Sequence, residues 1–238
     1  MNVVVYRLPN RLSLISPPSH CPKCKTPIRW FDNVPVFGWL MLGGHCRSCH
    51  CWIPIRYPLI EAFTAAMFVV LALVENPLTA GYLCHLMLLC TLLCAALIEV
   101  DGDRPPLSLF VPAFIVGIIV PLFWPIKGLD VLEGLAAGIM ASGVAWLFLS
   151  IWGEIRAANA TEVAPPSPGL FFGLICAGPF LGWLALAAIA FVTLAIYAML
   201  LLPRRGEPRI HVPPSVWLLV ATLAWFLADA YPLSNGKL

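Results

Sequence analysis

Four cysteines near the start of the chain have the spacing of a tetrahedral metal site. Cys21 and Cys24 form one C-x-x-C pair, Cys46 and Cys49 form a second, and 21 residues separate the two pairs. Each C-x-x-C turn directs two sulfurs to one point, so two turns can surround a borderline-soft cation such as Zn²⁺. Because four protein ligands fill the coordination shell, we expect this metal to be structural and not catalytic.

Two other states agree with the same spacing, namely two disulfides or reduced thiols without a metal. His20, His45, His50 and Cys51 lie beside the pairs and could each replace a sulfur ligand. Residues 1–57 contain seven of the fourteen Lys and Arg residues of the chain: Arg7, Arg11, Lys23, Lys25, Arg29, Arg47 and Arg56. Basic segments of membrane proteins stay on the cytoplasmic side, where thiols remain reduced, and we therefore favour zinc.

The composition indicates a protein whose main partner is the lipid bilayer. Hydrophobic residues make up 61% of the chain and charged residues 11%, whereas a soluble domain has about 25% charged residues. Apolar runs near the length of a membrane span recur at about 59–74, 78–98, 107–124, 131–152, 169–183, 184–202 and 214–230. The net charge of +2 gives no indication of nucleic acid binding.

These runs predict an all-α, polytopic membrane helix bundle of about seven spans, with the four-cysteine zinc loop on the cytoplasmic side. Residues 1–57 would form the cysteine-loop region and residues 58–238 the bundle. Residues 169–183 are predicted to form a short separate helix, broken near Gly178 and Pro179. Residues 1–8 lack the features of a cleavable signal peptide and have the character of the end of a preceding helix.

Several motifs occur in an order that is typical of one family. They are the run Asn2 to Pro9, the first C-x-x-C, Asp32-Asn-Val-Pro-Val36, Gly38-Trp39-Leu40, the second C-x-x-C and Ile55-Arg-Tyr-Pro-Leu-Ile-Glu61. This order resembles the type IV prepilin peptidases, also called leader peptidase/N-methyltransferases. The resemblance continues more weakly through Leu181-Gly182-Trp183 and the basic loop before the last span, so it covers nearly the whole chain.

The resemblance implies a multi-pass protein of the bacterial inner membrane that acts on prepilins or pseudopilins of type IV pilus or type II secretion systems. Members of the family are aspartic proteases that remove a basic leader peptide at the cytoplasmic membrane face. Many then methylate the new amino terminus with S-adenosylmethionine. In such a dyad one carboxylate activates water, while the protonated partner polarises the scissile carbonyl.

The two positions that match the family's catalytic aspartates hold other residues. The first lies in a pattern resembling L-I-D-x-D, which is matched here by Leu97-Ile98-Glu99-Val100-Asp101. The second is the last residue of a G-x-G-D motif. When the family pattern is aligned without gaps back from Leu181-Gly182-Trp183, this motif falls on Ser167-Pro168-Gly169-Leu170. Leucine cannot exchange a proton, and we therefore expect peptidase activity to be impaired.

Three interpretations of the acidic residues remain. Glu99, Asp101 and Asp103 are the catalytic candidates, and they could equally form a solvated acidic turn. Glu154 or Glu162 could supply a substitute acid, which would make the chain an active leader peptidase. Alternatively, the chain could be a non-catalytic membrane scaffold that binds pilin-like partners through its zinc loop.

Three further residues are weaker candidates for substrate binding. Glu61 lies just inside the first predicted span, where an acidic side chain is costly and often functional. Asp32 and Arg29 lie between the two cysteine pairs and could hydrogen-bond a substrate. An interfacial role for Glu61 and ordinary loop contacts for Asp32 and Arg29 are the alternatives.

Overall fold

The structure, a computed structural model, describes residues 1–75, 79–123, 131–157, 168–201 and 212–234. This part of the chain is helical and contains no strand, which confirms the all-α prediction. The helices are α1 (Asn2–Arg7), α2 (Phe37–Met41), α3 (Arg56–Val74), α4 (Ala80–Val100), α5 (Leu107–Phe123), α6 (Val131–Ala157), α7 (Pro168–Leu201) and α8 (Pro214–Ser234). A short 3-10 helix, η1 (Trp30–Asn33), precedes α2.

The chain divides into two compact units, Met1–Val70 and Leu71–Leu238. The first contains the cysteine loop and most of α3, and the second contains α4 to α8. The predicted boundary at residue 57 stays a prediction.

Membrane-spanning character is found in both units. Within the described ranges, three helical segments are long and apolar enough to cross a membrane: Arg56–Val74, Ala80–Val100 and Leu132–Ser150. Shorter apolar helical segments are Leu107–Pro121, Pro168–Leu181, Ala185–Ile196 and Pro214–Ala228. The chain is thus an all-α protein with membrane-spanning helices, while the total of about seven spans and the side of the cysteine loop stay predictions.

The predicted break at Gly178 and Pro179 is wrong, because α7 is continuous from Pro168 to Leu201. Proline in a helix removes one backbone hydrogen bond and favours a kink, but helix contacts with α6 hold this region together. A Cβ added at Gly134 of α6 would lie 2.3 Å from the Gly178 carbonyl oxygen, and one at Gly138 would lie 2.9 Å from another carbonyl oxygen of α7. This Gly-x-x-x-Gly spacing allows the two backbones to approach closely, as is common between helices in membranes.

His85 links α4 to two other helices of the second unit. Its Nε2 lies 3.0 Å from the carbonyl oxygen of Phe180 in α7, and its ring contacts Phe226 of α8 edge-on, with 4.8 Å between ring centroids. Its Nδ1 lies 2.6 Å from Oε1 of Glu75. Because a carbonyl oxygen only accepts hydrogen bonds, Nε2 carries the proton. His85 thus has partners on both nitrogens and helps to hold α4, α7 and α8 together.

The end of α4 places the acidic turn. Gly102 has a φ of 85°, the Asp103 N–H donates to the Ile98 carbonyl and the Gly102 N–H donates to the Glu99 carbonyl. This pair of bonds is the Schellman motif, and its left-handed position strongly favours glycine. The motif ends the helix at Val100, one residue after Glu99, and leaves Asp101 and Asp103 exposed.

Candidate metal centre and carboxylate site

The two C-x-x-C turns have the same backbone structure. In each turn the first cysteine accepts a hydrogen bond from the residue four places later and donates one to the residue five places later. The bonds run from Lys25 to Cys21 and from Cys21 to Thr26 in the first turn, and from His50 to Cys46 and from Cys46 to Cys51 in the second. The pattern H-C-x-x-C occurs at both turns, and this repeat could have indicated their shared structure from the sequence.

The sulfurs are placed as a tetrahedral metal site requires. The four predicted ligands, Cys21, Cys24, Cys46 and Cys49, have sulfurs that all lie within 4.8 Å of one another. Sulfurs at the corners of a tetrahedron with Zn–S bonds of about 2.3 Å are about 3.8 Å apart. The Cys21–Cys49 and Cys24–Cys46 sulfur distances are 3.8 and 3.9 Å. These cysteines are free thiols, and the four-cysteine cluster could bind a metal ion.

A fifth thiol lies close to the cluster. The Cys51 sulfur is 3.6 Å from that of Cys21, so Cys51 is a neighbour that could exchange with one of the four predicted ligands. His45 instead directs its Nδ1 to the Gly43 carbonyl at 2.6 Å, and His20 directs its Nδ1 to the Pro18 carbonyl at 3.1 Å.

Backbone donors and neighbouring thiols shift the pKa values of the cluster cysteines in opposite directions. The backbone N–H of Cys24 lowers the pKa of the Cys21 thiol to about 6, against the opposing effect of burial. At Cys49 the backbone N–H of Cys51 also lowers the pKa, but the surrounding thiols outweigh it and raise the pKa to about 12. Thiolate formation is thus favoured at Cys21 by its backbone donors and opposed at Cys49 by the neighbouring thiols. A divalent ion bound to the sulfurs would offset that opposition.

The segment between the two turns is held by side-chain contacts. Arg47 of the second turn makes two hydrogen bonds to the Asp32 carboxylate, with N–O distances of 2.8 and 2.6 Å. This contact lowers the pKa of the Asp32 carboxyl. The Arg29 guanidinium lies 5.8 Å from the centroid of the Phe31 ring. Asp32 and Arg29 thus both have partners within the loop, and their predicted contact with a substrate stays a prediction.

Glu61 of α3 fixes a strained turn before α2. The Phe37 N–H donates to the Pro35 carbonyl at 2.6 Å, which makes Val36 the central residue of a γ-turn. Val36 has φ 62° and ψ −52°, a conformation that is unusual for a β-branched residue. Its N–H donates to Oε2 of Glu61 at 2.9 Å, and Asn2 Nδ2 donates to Oε1 at 3.4 Å. Glu61 therefore stabilises this turn, a role that the local sequence did not indicate.

The second unit contains a carboxylate site at Glu99. The backbone N–H of Gly169 donates to Glu99 Oε1 at 2.7 Å, and the Ser215 hydroxyl donates to Glu99 Oε2. Glu99 thereby joins the end of α4 to the first turns of α7 and α8. Neither Gly169 nor Ser215 was predicted as a partner, because they are 70 and 116 residues from Glu99 in sequence.

The residue that matches the second family aspartate lies next to this contact. Leu170 directly follows Gly169 and is fully buried. Asp101 and Asp103 are exposed in the turn after α4. Of the proposed substitute acids, Glu162 lies outside the described residues, and Glu154 lies in the last turns of α6, where its side chain is outside the described part. The catalytic assignments of Glu99, Asp101 and Asp103 stay predictions.

Replacing Gly169 with alanine should destabilise the second unit. A Cβ at this position would lie 2.6 Å from Glu99 Oε1 and 2.9 Å from Glu99 Cδ. The carboxylate would have to leave its two donors, and losing such a hydrogen bond costs about 1–3 kcal/mol. Thermal unfolding in detergent should therefore occur at a lower temperature in Gly169→Ala than in the natural chain.

Gly143→Ala in α6 is the matched control, because a Cβ there has nothing within 4 Å. It should leave the unfolding temperature unchanged or raise it slightly, since alanine favours a helix over glycine by about 1 kcal/mol. In a Glu99→Ala background the cost of Gly169→Ala should disappear. An equal cost with and without Glu99 would contradict the proposed clash.

Comparisons with known proteins relate the chain to one group. The family described as the bacterial peptidase A24 N-terminal domain matches residues 1–74. Three relatives bear the name prepilin leader peptidase/N-methyltransferase. The protein from Klebsiella pneumoniae is 33% identical over 195 residues, that from Aeromonas salmonicida (strain A449) is 30% identical over 220 residues, and that from Myxococcus xanthus (strain DK1622) is 34% identical over 142 residues. No solved structure matches the chain significantly.

The extent of these matches differs between relatives. The match to the Klebsiella protein covers 78% of this chain and 80% of the relative. The match to the Aeromonas protein covers 89% of this chain and 71% of the relative. The match to the Myxococcus protein covers 59% of this chain and 42% of the relative. The chain thus spans less than half of the Myxococcus relative and more than two thirds of the other two.

Proposed function

The chain belongs to the prepilin leader peptidase/N-methyltransferase family, and on that basis we propose that it is an inner-membrane member whose leader peptidase activity is impaired. Its partners would be prepilins or pseudopilins, which it would meet at the cytoplasmic membrane face. The excess of Lys and Arg in the cysteine loop supports a cytoplasmic position for that loop. The proposal leaves pilin binding and methyl transfer from S-adenosylmethionine as retained functions.

The observation that carries the proposal is the environment of Glu99. Its two carboxylate oxygens accept hydrogen bonds from Gly169 and Ser215, and the next residue in α7 is the buried Leu170. An aspartic protease needs a second carboxyl group to hold or transfer a proton beside the first. A buried leucine provides neither a proton nor an acceptor, so Glu99 would act as an anchor between helices instead of as one half of a dyad.

We assign the cysteine cluster to Zn²⁺. The sulfur separations agree with tetrahedral thiolate coordination, and Cys21, Cys24, Cys46 and Cys49 would hold the ion. Zinc in such a closed site contributes folding stability and no open coordination position. Its role would be to join the two C-x-x-C turns and so fix the segment between them.

A prepilin assay tests the proposed loss of proteolysis. The purified full-length chain, reconstituted in vesicles, should leave a prepilin with a basic leader uncut. It should transfer labelled methyl groups from S-adenosylmethionine to a mature pilin. Leader removal that is abolished by Glu99→Gln would overturn the impaired-enzyme proposal and favour an active peptidase with a substitute acid.

Two controls separate the remaining interpretations. Asp103→Asn changes an exposed acid of the same turn. It should alter neither the extent of prepilin cleavage nor the methyl transfer. If Asp103→Asn abolishes cleavage, the catalytic pair lies within the acidic turn. Binding of pilin without cleavage or methyl transfer would favour the scaffold interpretation.

A further inference from the structure

The cysteine loop exposes four large apolar side chains that the proposed function does not use. Phe37, Leu40 and Met41 lie on one face of α2, at helical spacings of three and four residues. They are 67%, 59% and 81% exposed, and Trp30 of the adjacent η1 is 82% exposed. Groups of large exposed apolar side chains, especially when polar residues surround them, are found where proteins bind partners or membranes.

The surface is held rigidly. A Cβ added at Gly38 would lie 2.2 Å from the Asp32 carbonyl oxygen, so η1 and α2 are in direct backbone contact. The Asp32 carboxylate is fixed in turn by Arg47 of the second cysteine turn. We call residues 30–41, which contain η1 and α2, the hairpin. Its backbone is held in place by these contacts, and this reduces the entropy that Trp30 and the three side chains of α2 would lose on binding.

The hairpin lies beside the start of a membrane span. The Val36 N–H, directly before α2, donates to Glu61 of α3 at 2.9 Å. Glu61 follows Arg56, the first residue of α3, by five positions, or about 7.5 Å along the helix axis. The polar interface on each side of a bilayer is about 5–7 Å thick. The residue before Phe37 is therefore hydrogen-bonded to α3 about one and a half turns inside the segment Arg56–Val74, which is long and apolar enough to cross a membrane.

The charge around the hairpin is complementary to an anionic bilayer. Residues 1–60 contain seven Lys and Arg residues but only one acid, Asp32, which is paired with Arg47. Aromatic and aliphatic side chains on one face together with nearby basic residues are typical of segments that lie in the membrane interface. Each basic residue near an anionic lipid surface adds to the attraction.

We propose that Trp30, Phe37, Leu40 and Met41 form an interfacial docking surface that enters the headgroup and upper acyl region of an anionic bilayer. The hairpin then anchors the metal-bound turns at the membrane face, beside the start of α3. This inference goes beyond the proposed function and does not depend on peptidase activity. A hydrophobic peptide segment is the alternative occupant, and the basic surroundings together with the position beside α3 favour lipid.

Photocrosslinking in the full-length chain tests the proposal. The photoreactive residue benzoylphenylalanine would replace Phe37 or Met41 in protein reconstituted in vesicles of phosphatidylethanolamine and phosphatidylglycerol. Both positions should form lipid adducts that are detected by mass spectrometry. Adduct yield should fall at least about fivefold in phosphatidylcholine vesicles, the change expected from the contribution of one basic residue.

Ile15 is the control position, because it is 91% exposed and apolar but lies outside the hairpin. It should give few lipid adducts under the same illumination. Equal adduct formation at Ile15, or none at Phe37 and Met41, would overturn the docking surface. Adducts at Phe37 that form with added prepilin and not with lipid would assign the surface to a peptide instead. Bound zinc should be measured in every variant, so that loss of the loop structure is recognised.

Discussion

Replacing Leu170 with aspartate should increase prepilin cleavage by about 10²–10⁴-fold, the usual contribution of a positioned general acid or base. Leu170 directly follows Gly169, whose N–H contacts the Glu99 carboxylate. An acid at this position would therefore stand close to Glu99, and the two would share a proton because like charges held together raise one pKa. Leader removal from a reconstituted prepilin is the measurement, with Glu99→Asp added to restore the aspartate pair.

Leu170→Asn is the matched control, because asparagine has the size and polarity of aspartate but does not titrate. It should leave cleavage at the level of the natural chain. Adding Glu99→Gln to Leu170→Asp should remove the gained activity. Since residue 170 is fully buried, retained zinc and methyl transfer must show that each variant is folded. A folded Leu170→Asp chain with no gain would mean that more than this acid is missing.

Serine in place of Cys21 or Cys46 should remove the metal and disorder the cysteine loop. The natural chain should contain about one zinc ion per molecule, since four thiolates form a closed tetrahedral site. A site with three thiolates binds zinc far more weakly, and metal binding is coupled to folding of the turns. Zinc content and the rate of proteolysis within residues 20–52 are the two measurements, and both should change together.

Cys51→Ser provides the control for this experiment, because its sulfur lies 3.6 Å from Cys21 but is not one of the four predicted ligands. It should retain zinc, whereas Cys49→Ser should lose it. The opposite result would replace Cys49 with Cys51 in the ligand set. Less than about half a zinc ion per natural chain would contradict a structural zinc site altogether.

The local sequence was sufficient for the parts of the protein that depend on short spacings. Two C-x-x-C turns at the observed separation predicted four sulfurs around one point, since each turn fixes its own backbone. Apolar runs of span length predicted the helical membrane character. The order of short motifs identified the family, and a gapless count paired Glu99 with position 170, whose preceding residue the structure places against the Glu99 carboxylate.

Only the tertiary structure showed where α7 is continuous and which distant residues contact one another. The sequence predicted a break at Pro179, but α7 is continuous there and is in close backbone contact with α6 at Gly134 and Gly178. The partners of Glu99, and the support that Glu61 gives to Val36, come from residues far apart in the chain. The spacing of residue types along the sequence can predict a turn or a helix, because the hydrogen bonds of a turn or a helix join residues that are close in sequence. Contacts between distant residues depend on how whole helices pack, and a single sequence carries no periodic signal for them.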